Sequence, residues 1–307
     1  MRCFYSSNLD LKSDLPEDHP FQGNKFSTSR EMLIHGGIIR PEEIIDVNQS
    51  DLHVLKRVHD DQYLSKIYHG ALDRREQIAL GLPVTADLFS RCATEAEATR
   101  QTCHAALAEG VAVCLAGGTH HAFKGRGEAF CVFNDVAIAV RDLQAKRPGI
   151  RIMIVDTDAH QGNGTNSLLH DDPRVFTYSI HVGMTASTTT SVEGSMDVET
   201  VRYVEGDMYL KQLFQSLAAA LDVFCPDLVI WVAGADNHAS DMLGKMMLTA
   251  EDMQRRDDTI IRAFIKNRIP IAILYGGGYN KDSNLTAELH KNTVQSAKKI
   301  AKELGKG

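Results

Sequence analysis

The sequence predicts an α/β fold in which one domain, spanning residues 1–307, holds a mostly parallel central sheet between two layers of helices. Three observations predict this three-layer sandwich. Short apolar runs alternate along the chain with amphipathic helical stretches, as they do in βαβ units. The runs are apolar throughout, which is typical of parallel strands that are buried on both faces. No internal repeat and no linker rich in glycine, serine and proline divides the chain.

The first helix–strand pair is predicted over residues 94–110 and the apolar run "VAVCLAGG" that follows them. Thr94 and Glu97 form the pattern of a capping box at the start of this helix, and Gly110 stands at its C-terminal cap position. "DVAIAVRDLQAK" then predicts a second helix, and "IRIMIVD" predicts a strand after the break at Pro148.

Two further pairs follow the same plan. A helix is predicted over residues 207–224, with Asp207 as its cap and apolar residues at three- and four-residue spacing, before the strand "DLVIWVAGAD". "TAEDMQRRDDTIIRAFI" predicts a helix capped by Thr249, and "IPIAILYGGG" is the strand after it. In an open sandwich of this kind the ligand site lies beyond the carboxyl ends of the strands.

Composition and charge narrow the classes of protein to which the chain can belong. The net charge is −7, and lysine and arginine are scattered rather than clustered, which argues against nucleic-acid binding. The six cysteines show no C-x-x-C spacing, which favours a reducing compartment. The start lacks a signal-like apolar region, and no segment is apolar for long enough to span a bilayer. We therefore expect a cytoplasmic protein that binds neither nucleic acid nor a membrane.

Polar side chains follow four of the predicted strands at the points where the strands end. Because the carboxyl ends of parallel strands meet at one edge of the sheet, these side chains are expected to lie close together. Such convergence is not expected of a merely structural protein. The residues are His120 and His121 after "VAVCLAGGT", Asp156, Asp158 and His160 after "IRIMIV", Asp236 after "LVIWVAGA", and Tyr279 after "IAILYGGG".

Asp158, His160 and Asp236 are candidates for a catalytic metal site. Two carboxylates and one imidazole leave room for water on a metal, unlike the ligands of a closed structural site. If the strand continues past Asp156, the side chains of Asp158 and His160 point to the same side, since strand side chains alternate. A D-x-D by itself is often only a turn or a helix cap. The joint occurrence of polar residues at successive strand ends is what favours a site.

A series of motifs runs through the chain from "HPFQGNKF" and "VHDDQYL", through "LAGGTHHA", "AFCVFNDVAIA", "DTDAHQGNGT", "YSIH" and "PDLVIWVAGAD" followed by "DMLG", to "LYGGGYN". In this order and spacing they resemble the histone deacetylase family within the arginase/deacetylase superfamily. The resemblance covers most of the chain and implies an arginase/deacetylase-like fold. With Gln161 where most branches have a second histidine, "HPFQGNKF" and "DAHQGNGT" are most similar to the class IV branch and its bacterial relatives.

This resemblance implies a site that hydrolyses amides with one zinc ion per chain. Asp158, His160 and Asp236 would bind the zinc, and Tyr279 would hydrogen-bond the carbonyl oxygen of the substrate. The other implied residues are His120 paired with Asp156, His121 paired with Asn163, Phe130, Gly277 and Gly278 along the substrate channel, and Asp156, Asp158, His160, Ser179 and Ile180 around a potassium ion.

The chemistry of amide hydrolysis agrees with these roles. His121 is the expected general base and acid, because the neutral Asn163 orients its ring without raising its pKa as a carboxylate would. His120, paired with Asp156, is expected to stay charged and to act electrostatically. The ligand set would also accept Fe(II), Mn(II) or Co(II).

The sequence departs from the family pattern after His181. The wall of the channel opposite Phe130 usually comes from an aromatic residue there, whereas this chain has "VGMTASTTTSVEGS". We therefore expect tolerance for acyl groups larger than acetyl, which the class IV resemblance also implies.

The expected function is that of a zinc-dependent hydrolase that removes acyl groups from N-acyl-lysine in proteins or peptides. An amidohydrolase of acetylpolyamines or of other small acyl-amines would use the same scaffold and catalytic groups, and fold and motifs do not separate the two. A non-catalytic protein that binds acyl ligands is disfavoured, because the metal ligands, both histidines and Tyr279 are all present. A two-metal, arginase-like hydrolase would need carboxylates in place of His120 and His121.

Overall fold

The computed structural model describes residues 1–10, 15–16, 19–183 and 190–305. Eight strands in these residues form one sheet, and every strand pairing in it is parallel. The strands are β1 (Arg2–Tyr5), β2 (Ile44–Asp46), β3 (Val111–Cys114), β4 (Ile152–Asp156), β5 (Val175–Val182), β6 (Met196–Thr200), β7 (Leu228–Val232) and β8 (Ile271–Leu274). Their order across the sheet is β2-β1-β3-β8-β7-β4-β5-β6.

The α-helices of the described ranges form two layers. They are α1 (Lys25–His35), α2 (Leu52–Leu55), α3 (Asp61–Tyr68), α4 (Arg74–Leu80), α5 (Ala86–Glu109), α6 (Asp135–Lys146), α7 (Asn163–Leu169), α8 (Gly206–Val223), α9 (Ala250–Lys266) and α10 (Ser283–Glu303). On one side α5 packs against α6, and α6 against α7. On the other side α1, α10, α9 and α8 pack next to one another in that order. The predicted α/β sandwich with a parallel central sheet is confirmed.

The central strands are buried over their whole length. Every residue of β3, β4, β7 and β8 is buried. Helices cover both faces of the sheet, so a polar side chain on either face would lose its contact with water. For this reason these strands are continuous apolar runs in the sequence, and polar residues appear where the strands end.

The helix predicted over residues 94–110 starts earlier than the sequence pattern indicates. α5 begins at Ala86 behind its cap residue Thr85, and Thr94 lies inside it. The predicted capping box at Thr94 is therefore wrong. The hydroxyl of Thr94 donates to the carbonyl oxygen of Ser90 at 2.8 Å. A threonine that bonds to the preceding turn is compatible with a helix interior, so the T-x-x-E pattern does not by itself mark a helix start.

Two other helix predictions are confirmed and one is shifted. α6 has the predicted bounds, and α9 begins behind Thr249, whose side chain accepts a hydrogen bond from the backbone N–H of Asp252. α8 lies one residue closer to the N-terminus than predicted, with Glu205 at the cap position. Asp207, the predicted cap, lies instead in the first turn, where its carboxylate pairs with Arg255 at 2.9 Å. An acidic residue is also favourable there, because it faces the positive end of the helix dipole.

The described part of the chain contains no helix that is both long enough and apolar enough to cross a membrane. All six cysteines are free, and Cys225 is the exposed one among them. Burial raises the pKa of the Cys131 thiol well above its ordinary value, so this thiol, although it lies near the histidines, stays protonated.

Candidate active site

The four strands that precede the predicted site residues are neighbours in the sheet, in the order β3, β8, β7 and β4. Their carboxyl ends therefore lie side by side, and the loops that follow them meet at one edge of the sheet. Asp156 ends β4, and the loops carry the other six predicted side chains. All seven are buried except Tyr279, which is partly buried.

Asp158, His160 and Asp236 form a compact cluster of potential ligand atoms. One such atom from each residue lies within 4.8 Å of those of the other two. His160 Nδ1 is 3.1 Å from Asp158 Oδ1 and 2.9 Å from Asp236 Oδ2. Only 1%, 3% and 0% of the respective residue surfaces are exposed. Two carboxylates and one imidazole that converge in this way fit a divalent cation such as zinc.

A turn, and not the strand pleat, aims Asp158 and His160 at the cluster. β4 ends at Asp156, so the condition under which strand alternation would align the two side chains is not met. Asp156 Oδ1 accepts a hydrogen bond from the N–H of Asp158, and Asp158 Oδ1 accepts one from the N–H of His160, both at 3.0 Å. Aspartates that bond to the backbone two residues further on form tight local turns.

Backbone amides fix the orientation of both carboxylates. The N–H of Gly277 donates to Asp158 Oδ2 at 2.7 Å, and the N–H of Ala159 donates to Asp236 Oδ1 at 2.9 Å. The other oxygen of each carboxylate, Asp158 Oδ1 and Asp236 Oδ2, faces His160 Nδ1. Partners of this kind tune how strongly a ligand set binds its metal.

The cluster needs positive charge. Burial raises the pKa of Asp236, and the nearby charge of Asp158 raises it further. Burial opposes the protonation of His160, but the two carboxylates outweigh this effect and raise the pKa of His160 to about 10. A divalent cation would supply the same charge and displace the proton from His160.

Replacing Gly277 with alanine is expected to weaken zinc binding about 10- to 100-fold. A Cβ atom at this position would lie 2.6 Å from Asp158 Oδ2 and 2.8 Å from Asp236 Oδ2, so both carboxylates would have to move. Competition with a chelator of known zinc affinity would measure the change. Gly149→Ala is the matched control, because a Cβ there would have no atom within 4 Å. Equal zinc affinities in the two variants would contradict this role of Gly277.

The two tandem histidines differ in partner and in charge. His120 Nδ1 lies 2.6 Å from Asp156 Oδ2, and His121 Nδ1 lies 2.8 Å from Asn163 Oδ1. Burial disfavours the charged form of both rings. At His120 the nearby carboxylates outweigh burial and raise the pKa to about 9. At His121 the positive charge of the neighbouring imidazoles adds to burial and holds the pKa well below its ordinary value.

The amide of Asn163 determines which ring nitrogen of His121 is free. Asn163 Nδ2 donates to the carbonyl oxygen of Thr190 at 2.8 Å, and Asn163 Oδ1 accepts from the N–H of Gly164 at 2.8 Å. The amide oxygen therefore faces His121, whose Nδ1 carries the donated proton. In a neutral ring, Nε2 is then left with a lone pair that can accept a proton.

Tyr279 lies in a glycine-rich loop between β8 and α10. Lys25 Nζ donates to the carbonyl oxygen of Gly278 at 3.1 Å and lies 5.0 Å from the centre of the Tyr279 ring. Asp241 Oδ2 accepts a hydrogen bond from the N–H of Tyr279 at 2.6 Å. Burial and the charges of the carboxylate cluster raise the pKa of Tyr279 well above its ordinary value. Its hydroxyl therefore stays protonated and can donate a hydrogen bond.

A small cavity of ≈ 30 Å³ is lined by His120 and Tyr279, but not by the Asp158, His160 and Asp236 cluster. Phe130, Gly277 and Tyr279 are among its lining residues, with the Phe130 and Tyr279 rings 5.7 Å apart. Gly278, which was predicted along the channel, does not line this cavity. A Cβ atom on Gly278 would instead lie 2.6 Å from Thr286 Cγ2, on the side of α10.

Residues 184–189, in the stretch that lacks the expected aromatic wall, lie outside the described residues. The side chain of Gln161 forms hydrogen bonds to residues that follow positions 184–189. Its Oε1 accepts from the N–H of Val192 at 3.1 Å, and its Nε2 donates to Asp197 Oδ1 at 3.0 Å. The side chain that marks the class IV resemblance is thus bonded both to β6 and to the segment that leads into it.

The residues predicted around a potassium ion lie on adjacent strands or directly after them. β4 and β5 pair with Asp156 opposite Ser179, and Ile180 is the next residue of β5. Ser179 Oγ lies 2.8 Å from His181 Nδ1. Asp158 and His160, the other two members of the predicted set, follow β4.

Two residues that hold Tyr279 were missed as site residues in the sequence. Lys25 belongs to "HPFQGNKF" and Asp241 to "DMLG", motifs that carried only the family resemblance. The Lys25 contact spans 253 positions of the chain and the Asp241 contact spans 38. A charged residue inside each of these two motifs was the only hint in the sequence. No local pattern indicates that such a residue contacts the "GGGY" loop.

The chain is similar to known proteins in its sequence. A family model described as the histone deacetylase domain matches residues 19–295. An uncharacterised protein of Picosynechococcus sp. is 35% identical over 95% of this chain and 97% of its own length. Histone deacetylase 2 of Arabidopsis thaliana is 28% identical over 91% of this chain and 74% of its own length.

A solved structure shares the fold. The crystal structure of a histone deacetylase homologue complexed with SAHA superposes with a TM-score of 0.78 at 21% identity, and the match covers 99% of this chain and 88% of that one. The fold is therefore arginase/deacetylase-like. Because the family model also matches nearly the whole chain, the chain belongs to the histone deacetylase family.

Proposed function

We propose that this protein is a metal-dependent hydrolase that removes acyl groups from the side-chain amine of N-acyl-lysine in proteins or peptides, and that residues 1–307 act as one catalytic domain. The observation that carries the proposal is the convergence of Asp158, His160 and Asp236 beside two imidazoles, one bonded to a carboxylate and the other to an amide. A zinc ion held by these three residues would lower the pKa of water and polarise the acyl carbonyl.

His121 is the proposed general base and acid. Its neutral ring takes a proton from water at Nε2, because Nδ1 is occupied by Asn163. The same nitrogen then passes the proton to the departing amine. The low pKa of His121 supports this role, since the ring has to be neutral to begin the reaction.

His120 and Tyr279 stabilise the charge that develops during the reaction. His120 stays protonated against Asp156 and supplies positive charge without moving a proton. The hydroxyl of Tyr279 donates to the substrate carbonyl oxygen, and this hydrogen bond strengthens as that oxygen becomes negative. We also propose that a potassium ion lies behind the site, held by Asp156, Asp158, His160, Ser179 and Ile180.

The substrate channel and the branch of the family are part of the same proposal. Phe130 forms one wall of the channel, next to Tyr279. The polar segment after His181 leaves the opposite side open to acyl groups larger than acetyl. Gln161, in place of a second histidine, supports assignment to the class IV branch.

Chelation of the bound metal is expected to abolish hydrolysis, and added zinc is expected to restore it, because the metal is the Lewis acid that activates water and polarises the carbonyl. The zinc-loaded protein would be assayed on acetyl-, octanoyl- and myristoyl-lysine peptides and on acetylpolyamines. SAHA, which binds the homologue described above, should inhibit the reaction. Faster hydrolysis of acetylpolyamines would indicate that the protein is instead an amidohydrolase of small acyl-amines. Tight binding of acyl-lysine without turnover would indicate a binding protein and overturn the proposal.

A further inference from the structure

Asp241 joins the loop that carries a predicted metal ligand to the loop that carries Tyr279. Both lie at the carboxyl edge of the sheet, after β7 and β8. Asp241 follows Asp236 by five positions and is only 9% exposed. Its Oδ2 atom accepts from the N–H of Tyr279 at 2.6 Å, and its Oδ1 atom accepts from the N–H groups of Leu243 and Gly244, each at 2.9 Å. One buried carboxylate thus serves three backbone donors on two loops.

The main chain supports the same junction. The N–H of Ala235 donates to the carbonyl oxygen of Gly277 at 2.7 Å, and the N–H of Met242 donates to that of Tyr279 at 3.3 Å. The second contact is long for a hydrogen bond, whereas the Asp241 contact is short and involves an ionisable acceptor, which makes it the stronger restraint.

The loop around Tyr279 has little stiffness of its own. β8 ends at Leu274 and α10 begins at Ser283, so Tyr279 belongs to neither element. Gly276 and Gly278 have φ angles of 71° and 154°, which residues with side chains rarely adopt. Since glycines restrict the backbone least, the direction of the Tyr279 side chain depends on the bonds made to its backbone.

We propose that Asp241 is a positioning residue for Tyr279: its carboxylate fixes the Tyr279 backbone so that the phenol hydroxyl points at the reacting carbonyl. This inference rests on the proposed role of Tyr279. Asp241 itself touches neither substrate nor metal and acts only through the tyrosine.

Asp241→Asn tests the inference with the smallest change in shape. One oxygen becomes an NH₂ group, which would face an N–H donor. We expect kcat to fall about 10- to 100-fold, because a small displacement of a catalytic group lowers the rate of the chemical step by this order. KM and zinc content should stay close to the wild-type values, because substrate binding and the metal ligands are not altered.

The double variant with Tyr279→Phe separates positioning from general damage. If Asp241 acts through the phenol hydroxyl, Asp241→Asn should change single-turnover rates less than about twofold once that hydroxyl is gone. An equal loss in both backgrounds would overturn the proposal. If Asp241→Asn does not fold, Asp241→Glu replaces it in the same comparison with and without Tyr279→Phe. Glutamate keeps the charge but shifts both carboxylate oxygens.

Asp172→Asn is the matched control. Asp172 has the same 9% exposure and accepts a backbone N–H from Arg174 at 3.1 Å, but it lies at the opposite edge of the sheet, before β5. This variant should lose stability and keep its kcat. A similar fall in kcat in both aspartate variants would mean that Asp241 is merely structural.

Hydrogen exchange gives a readout that does not need activity. The amide of Tyr279 should exchange at least about tenfold faster in Asp241→Asn than in the wild type, because its acceptor is lost. If the wild-type protein hydrolyses nothing, the proposed function fails while exchange still decides whether Asp241 holds Tyr279. Unchanged exchange at Tyr279 would overturn the proposal even in an active enzyme.

Discussion

Replacing Tyr279 with phenylalanine is expected to lower kcat about 100- to 1000-fold, which is the usual loss when one donor to a developing oxyanion is removed. The variant keeps the ring that packs against Phe130 and lacks only the hydroxyl. Because the pKa of Tyr279 lies well above its ordinary value, the wild-type hydroxyl is protonated throughout the working pH range. Steady-state kinetics on an acyl-lysine peptide, with zinc content measured on the same samples, would quantify the loss.

Tyr178→Phe is the control for the loss of a tyrosine hydroxyl. The Tyr178 hydroxyl lies 2.8 Å from Ser216 Oγ, between β5 and α8. Its removal should cost about 1 kcal/mol of stability and leave kcat unchanged. A Tyr279→Phe enzyme with wild-type kcat would remove Tyr279 from the reaction.

Replacing His121 with alanine is expected to lower kcat about 100- to 10,000-fold, the range associated with loss of a general acid–base group. His120→Ala should cost less, because a charged ring that moves no proton is only an electrostatic element. Both variants should retain zinc, since neither histidine belongs to the Asp158, His160 and Asp236 cluster. His53→Ala is the control, because His53 is exposed and its replacement should leave both kcat and zinc content unchanged.

The pH dependence of kcat/KM tests the role of His121 as the base. His121 can accept a proton only in its neutral form, so kcat/KM falls as the pH drops through the pKa of this ring. Burial and neighbouring positive charge hold that pKa low, so the fall should begin below pH ~6.5, the ordinary histidine value. A fall that begins above this pH, with zinc still bound, would contradict the assignment of His121 as the base.

The sheet could be predicted from the sequence because its strands are buried on both faces. "VAVC", "IMIV", "LVIWV" and "IAIL" need no alternation to be recognised, and glycines or polar residues mark their ends. β1 (RCFY) and β2 (IID) are equally short but each contains a charged residue and is not buried throughout, so no apolar run indicates them. The start of α5 was obscured by its buried charges: Arg91 and Glu95 pair inside the protein at 3.6 Å, where a helical pattern would place apolar residues.

The site was only partly predictable for a related reason. The carboxyl ends of parallel strands lie at one edge of a sheet, which is why the sequence predicts that Asp158, His160 and Asp236 meet. The structure adds that β4 and β7, which precede them, pair directly. The turn at Asp156, the close approach of Gly277 and the bond from Asp241 to Tyr279 are contacts between separate loops. No local periodicity encodes such contacts, so they appear only once the chain is folded.

Zinc-edge X-ray absorption of the zinc-loaded wild-type chain would show whether Asp158, His160 and Asp236 bind one zinc ion. We expect a zinc ion with only nitrogen and oxygen ligands near 2.0–2.2 Å, one imidazole among them, and no second metal nearby. Sulfur scattering at about 2.3 Å, more than one imidazole, or a second metal within about 4 Å would contradict this expectation, as would a chain that binds no zinc.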